Sequence, residues 1–284
     1  MMNDVNLQDW VGKTEQIRDR LYPTPVKALA LTLDDPHLQV EEGVPLPKIW
    51  HWLYFLPMAA RSEIGIDGHP KRGGFLPPIA LERRMWASGQ LVFHQDLLIG
   101  EEITRTSEIL KVSEKEGKAG KMVFVTVKHS ILSARGVAID EEQNIVYLPM
   151  PKTYVPAPPN AAPDSLEWQE AYPVDPVLLF RFSALTFNAH RIHYDIQYAT
   201  EVEKYPGLVV HGPLQALLLL EAARKRNPGK QPARYEFKAV RPLFVFDQAR
   251  LGGRMNAGGG HDLYMMNTDG NMTMQAIVSW RERT

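Results

Sequence analysis

Phe187-Asn188-Ala189-His190-Arg191-Ile192-His193-Tyr194-Asp195 is followed, after a short interval, by Val209-Val210-His211-Gly212-Pro213. That segment runs directly into Leu214-Gln215-Ala216-Leu217-Leu218-Leu219-Leu220-Glu221-Ala222-Ala223. The second stretch predicts a helix over Pro213–Arg226. Proline is tolerated at the first helical position, where its missing N–H costs nothing. Arg224, Lys225 and Arg226 complement the negative helix end, and Asn227-Pro228-Gly229 stops it. The helix is apolar nearly all round, so it must be buried, with a sheet curled around it. A polar knot just ahead of such a helix fits a catalytic group facing its positive end. Loop or core histidines with ordinary hydrogen-bond partners fit the same residue types equally well.

Outward from this helix, the C-terminal half offers strand candidates at Arg234–Phe237, Ala249–Met255, Asp262–Asn267 and Met272–Trp280. Gly258-Gly259-Gly260 and Asp269-Gly270 read as hairpin turns. The N-terminal half shows the same order of elements. A helical candidate, Ile49–Leu56, lies between Pro47 and Pro57. Strand-like runs follow at Gln90–Phe93, Thr104–Val112, Met122–Ile131 and Asn144–Leu148. Leu91-Val92-Phe93-His94 faintly echoes Tyr235-Glu236-Phe237-Lys238, as a duplicated fold would. Between the halves, Pro149, Pro151, Pro156, Pro158, Pro159, Pro163 and Pro173 break any ladder or helix, as an extended spacer does. The expected division is an N-terminal domain over 1–150, a linker over 151–172 and a C-terminal domain over 173–284. One helix and an antiparallel meander in each half make an α+β fold.

Composition narrows the function. The 284 residues carry a net charge of −1, which gives no support for a nucleic-acid partner or an anionic membrane surface. An apolar share of 44% with 23% charged residues suits a globular chain with a sizeable core. No apolar run is long enough to span a membrane, and the polar start Met1–Trp10 resembles no signal peptide, so a cytoplasmic location is expected. The absence of cysteine excludes disulfides, thiolate metal sites and a cysteine nucleophile.

The helix start offers amide donors at Gly212, Leu214 and Gln215, since Pro213 has none. Glycine there lets a ligand approach the backbone, which suits a developing oxyanion; a simple cap explains it as well. His193 can take and return a proton near neutral pH. In a tight turn Asn188 would converge on it, while Asp195 caps a short helix through Tyr198 and Glu201. His190, His193, Asp195 and His211 could be imagined around a metal, but an HxxH spacing presents two ligands to one helix face poorly, so none is expected.

Ser183–Ala199 and His211-Gly212 carry a resemblance. The segment resembles the signature of the (R)-specific enoyl-CoA hydratase and MaoC-like dehydratase family, a hotdog fold. The resemblance places the catalytic histidine at His193 and the glycine oxyanion donor at Gly212. Asn188 stands where the family has a catalytic aspartate, His190 where it has asparagine, and Arg191 where it has proline. With Pro47–Phe55, Arg72–Pro78 and Arg83-Arg84-Met85-Trp86-Ala87-Ser88-Gly89, the chain is similar to the double-hotdog branch of itaconyl-CoA and mesaconyl-C4-CoA (3-methylfumaryl-CoA) hydratases, related to mitochondrial hydroxyacyl-thioester dehydratases.

That likeness implies a hydro-lyase acting on an enoyl-CoA of a C5 dicarboxylic acid, with CoA as part of the substrate and no cofactor. It implies a non-catalytic N-terminal half forming a substrate tunnel, and two chains pairing as a homodimer. His193, Asn188 and Gly212 are the expected catalytic residues. Arg191, His190, His211, Arg84 and Trp86 are the expected substrate contacts, with Arg191 the first candidate to read a free carboxylate. The alternatives are a 3-hydroxyacyl-thioester dehydratase of fatty-acid metabolism, a hotdog thioesterase using Glu221, and a non-catalytic acyl-thioester binder.

Overall fold

A computed structural model describes residues 6–117 and 120–282; the first five residues of the polar N-terminus read above lie outside them. The strands are β1 Thr14–Arg20, β2 Arg83–Phe93, β3 Glu102–Gly117, β4 Gly120–Ser133, β5 Gly136–Leu148, β6 Trp168–Ala171, β7 Lys230–Ala239, β8 Arg250–Met255, β9 His261–Met266 and β10 Met272–Glu282. They form one ten-stranded sheet in the order β1-β3-β4-β5-β2-β7-β10-β9-β8-β6. The order is symmetric about its middle: β2 and β7 meet there, and β1 and β6 close the two edges. Two copies of one five-stranded meander have merged along a seam. That seam is antiparallel, with Leu91 opposite Tyr235 and Gly89 opposite Phe237. The faint echo between those two segments therefore marks equivalent strands. A Cβ on Gly89 would lie 2.5 Å from the Phe237 ring, so the seam leaves room there only for glycine.

The helix α3, Gly212–Arg226, sits as expected in the curl of the C-terminal half. Every residue from Leu214 to Ala223 is buried. The sheet holds it by specific bonds as well as by packing: Tyr235 Oη donates to Ala216 O at 2.7 Å, and Thr273 Oγ1 donates to Gln215 Oε1 at 2.7 Å. Two further helices, α1 Pro23–Thr32 and α2 Pro176–Leu185, pack on each other.

The N-terminal half departs from the expectation of a long helix. Ile49–Leu56 is not a helix; only Trp50–Leu53 makes a single 3₁₀ turn, between Ile49 and Phe55 in left-handed conformations, φ 65° and 53°. The stretch is short and aromatic between two prolines, and its groups are bound elsewhere. Asp19 Oδ2 accepts from Phe55 N at 2.7 Å, Glu141 accepts from Trp52 Nε1, and Glu221 accepts from Trp50 Nε1, both at 3.0 Å. Without a long helix in its curl, the concave face of the N-terminal sheet stays open. Met122, Phe124, Gln143 and Ile145 on that face line a cavity of about 2010 Å³ that continues to the start of α3.

Candidate active site

The candidate site lies where the cavity meets the N-terminus of α3. His193 closes a 3₁₀ turn, Arg191–His193, and is 7% exposed. Its Nδ1 is 2.7 Å from the Val209 carbonyl oxygen, which can only accept, so Nδ1 carries the hydrogen and Nε2 the lone pair. Burial, then the nearby His211 and His190, hold its pKa well below the ordinary value. The imidazole is thus kept neutral, as a base requires.

His211 caps α3 and stacks on His193, with ring centroids 3.6 Å apart. It is fully buried, bonded to Ser183 Oγ through Nε2 at 2.8 Å, and absent from the cavity wall. Burial lowers its pKa to about 3, so it backs the base without adding charge. The expectation that His211 contacts substrate is corrected accordingly: its place is behind His193. Gly212 does border the cavity. As the first residue of α3 it presents an N–H that the helix itself cannot satisfy, at the positive end of the dipole. The space beside it is open: a Cβ there would meet only Trp86 O at 3.8 Å and Met274 Cε at 3.9 Å.

Asn188 and His190 also border the cavity. The Asn188 side-chain oxygen accepts from the His190 N–H at 3.0 Å, which leaves its amide N–H₂ as the group it can offer a ligand. His190 Nε2 donates to Glu203 Oε1 at 3.1 Å, and Glu203 also accepts from Arg83 Nε at 3.3 Å.

Arg191 is the second correction. It does not line the cavity: its guanidinium pairs with Asp195 Oδ2 at 2.7 Å, donates to Ile66 O at 3.1 Å, and lies over the Tyr198 ring. A charge in this part-buried turn needs a counter-anion. Asp195, four residues along, supplies it where a substrate carboxylate had been expected to. Arg84 and Trp86, on β2, do face the cavity. Arg84 forms no salt bridge among the described residues, whereas Arg83 and Arg105 are each paired with glutamate. Trp86 builds an apolar wall with Trp52 and Phe237, at 5.0 and 5.6 Å between centroids. Trp50 belongs to the core.

Sequence reading missed what the N-terminal half brings to this place. The loop Ile64–Pro70 clasps the Arg191–His193 turn, with Arg191 N donating to Asp67 O at 2.9 Å and the His69 ring 4.3 Å from that of His190. No local motif marks it; the signal is a glycine. Gly68 has φ +92°, and a Cβ there would sit 1.7 Å from Ala189 O. Glu221 is not available to a thioesterase, because it accepts from Trp50 and pairs with Arg224 at 2.6 Å, outside the main cavity. Among the described residues no three His, Cys, Asp or Glu side chains converge as a metal ion requires.

Comparison with known proteins places the chain in a lineage. A family model described as hydroxyacyl-thioester dehydratase type 2 matches residues 49–245. Mesaconyl-C(4)-CoA hydratase of Chloroflexus aurantiacus is 43% identical over 284 residues, covering 98% of this chain and 99% of that protein. The mitochondrial hydroxyacyl-thioester dehydratase type 2 of Schizosaccharomyces pombe is 31% identical over 270 residues, covering 83% and 88%. Among solved structures, a MaoC-like dehydratase superposes with a TM-score of 0.76 at 15% identity, covering 98% of this chain and 100% of the other. A Mycobacterium tuberculosis protein described as having a double hotdog fold superposes at 0.62 with 12% identity, covering 96% of each chain. These two likenesses show the fold, an α+β double hotdog, and the sequence matches show the lineage. The chain belongs to the hydroxyacyl-thioester dehydratase type 2 family.

Proposed function

We propose that this hydro-lyase adds water across the α,β double bond of an enoyl-CoA derived from a C5 dicarboxylic acid, of the mesaconyl-C4-CoA or itaconyl-CoA kind. The observation that carries the proposal is His193, neutral, with Nδ1 committed to Val209 and its lone pair left on Nε2 beside the open N-terminus of α3. His193 takes a proton from water as the oxygen attacks the β-carbon. The electron pair of the double bond moves onto the thioester oxygen, held by the Gly212 N–H. His193 then returns the proton to the α-carbon, completing the addition. The Asn188 amide N–H₂ helps to position the water. The thioester itself acidifies the α-carbon, so the reading needs no cofactor and no metal.

The free carboxylate falls to Arg84, which borders the cavity without a carboxylate partner and whose charge reaches His69 beside the candidate site, whereas Arg72 and Arg241 spend theirs on backbone carbonyls. Trp86 and His190 complete the acyl contacts. Residues 173–284 carry the base and the oxyanion donor, residues 1–150 the tunnel, and residues 151–172 join them. The short, polar edge strands β1 and β6 leave room for two chains to pair, so the homodimer stays in the proposal, as does a cytoplasmic location; no helix among the described residues is long and apolar enough to cross a membrane.

The test follows enoyl absorbance and free thiol with mesaconyl-C4-CoA and crotonyl-CoA, in wild type and Arg84→Met. Loss of enoyl absorbance without thiol release is expected. Arg84→Met should cost about 2–4 kcal/mol in kcat/KM on the dicarboxylic substrate and little on crotonyl-CoA. Thiol release would make the chain a thioesterase, and equal losses on both substrates would remove Arg84 as the reader.

A second reading, dehydration of longer 3-hydroxyacyl thioesters, is favoured by the cavity. About 2010 Å³ is twice the upper end of ordinary ligand pockets, about 1,000 Å³. Higher kcat/KM on a medium-chain substrate than on mesaconyl-C4-CoA would select it.

A further inference from the structure

The proposed hydration leaves one demand unmet. A water molecule between base and substrate has two hydrogens, and the attack is well directed only when both are held, so that an oxygen lone pair points at the β-carbon. His193 takes one. The Asn188 side-chain oxygen already accepts from the His190 N–H, which fixes the amide and turns its N–H₂ to the water. His190 spends Nε2 on Glu203, Glu203 is itself held by His190 and Arg83, and His211 is buried behind His193. His69 brings a further lone pair to the cavity here. His69 Nδ1 lies 3.1 Å from Asp67 Oδ2, and a carboxylate only accepts, so Nδ1 carries the hydrogen and Nε2 the lone pair.

His69 is placed as firmly as the catalytic turn. Asp67 Oδ1 accepts from the His69 N–H at 3.0 Å, Asp67 O accepts from Arg191 N at 2.9 Å, and Gly68 fits against Ala189 only because it has no side chain. Its ring centroid is 4.3 Å from that of His190, which in turn is 5.4 Å from that of His193. Burial, together with the nearby Arg84 and His190, lowers its pKa to about 3 against the opposing pull of Asp67. His69 is thus a fixed, neutral acceptor.

We propose that His69, oriented by Asp67, is a second catalytic histidine: its Nε2 accepts a hydrogen bond from the attacking water while His193 Nε2 removes the other hydrogen. One water proton passes to His193 and then to the α-carbon. The second stays on the oxygen as the product hydroxyl, and His69 ends the cycle neutral. The N-terminal half then takes part in the chemistry as well as forming the tunnel. The inference rests on the hydratase reading above.

The test compares wild type, His69→Ala, His69→Gln and the double variant His69→Ala/Asn188→Asp in steady-state hydration of mesaconyl-C4-CoA and crotonyl-CoA, with thermal unfolding as the check on folding. His69→Ala should lose about 10²-fold in kcat with KM changed by no more than about threefold. His69→Gln should keep about tenfold more, because its amide oxygen accepts a hydrogen bond. Asn188→Asp should restore about tenfold to His69→Ala, since one carboxylate oxygen can keep the His190 N–H while the other faces the water. Unchanged kcat, a loss confined to KM, or a kcat loss that neither substitution relieves would overturn the assignment. Hydration of neither substrate by wild type would remove the functional reading itself; an active wild type with an equally active His69→Ala would remove this proposal alone.

Discussion

The burial of His193 changes what its replacement should do. A histidine in an open loop could be cut back freely, but this one is stacked on His211 and bonded to Val209 O. His193→Ala is therefore expected to lose about 1–3 kcal/mol of stability in urea unfolding as well as turnover, whereas His193→Gln keeps most of the volume and isolates the catalytic loss, about 10³-fold or more in kcat. The lowered pKa sets the pH dependence. A base works deprotonated, and this one stays deprotonated well below pH 6.5. Hydration kcat/KM should stay level from pH 8 down through 6.5 and fall only as pH approaches the depressed value. An acid limb with an apparent pKa near 6.5 would mean that His193 titrates as though exposed. Arg191, by contrast, is 36% exposed and paired four residues along a turn. Arg191→Met should shift stability by less than about 1 kcal/mol and affect mesaconyl-C4-CoA and crotonyl-CoA alike.

Which elements could be read in advance follows from where their stabilising contacts lie. The helix α3 was legible because its signals are local: a proline at its start, cations at its end and an unbroken apolar run. Strands β4 and β10 were legible because one face is buried, so their sequences alternate. Strand β1, Thr-Glu-Gln-Ile-Arg-Asp-Arg, is a polar edge with little to bury and gave no such pattern. Helix α2 carries a real start signal, Asp175-Pro176 with Asp175 capping Leu178 N at 2.7 Å, but the prolines before it masked that signal. His193 and Gly212 could be brought together from sequence because one short interval of chain joins them; His69 reaches the same cavity only through the tertiary fold.

The 49–56 stretch was misread because its partners are remote. Glu221 lies 171 residues from Trp50 along the chain. That buried bond joins the N-terminal turn to α3, so Trp50→Phe, which keeps most of the ring and deletes the donor, should cost about 1–3 kcal/mol. Guanidinium unfolding measures it. A cost near zero would mean that Glu221 is satisfied by Arg224 alone.

Across the whole molecule, the merged sheet buries several histidines as neutral rings, and this fixes how the fold responds to acid. Burial lowers His69 and His211 to about 3 and His129 to about 4, and it holds His193 well below its ordinary value. In the unfolded chain each returns to about 6.5. Between those values the unfolded state binds protons that the folded state refuses, so stability is full above pH 6.5 and declines as pH falls toward 4. Asp67 and Glu141, both held below their ordinary values by partner histidines, act in the same direction at still lower pH. Each buried histidine contributes about 1.4 kcal/mol per pH unit once the pH is below 6.5. From pH 7.5 to pH 5.0 this amounts to about 2 kcal/mol apiece, a large share of a total stability of about 5–15 kcal/mol. Urea midpoints across that range should fall steeply, with a slope equivalent to the uptake of about three or four protons on unfolding near pH 5. His129→Gln removes one of these groups without touching His193, so its slope should be smaller by about one proton. A stability unchanged from pH 7.5 to 5.0 would mean that these rings reach solvent in the folded state. The burial of His193 against Val209 and His211, on which its proposed role as a neutral base depends, would then fail as well.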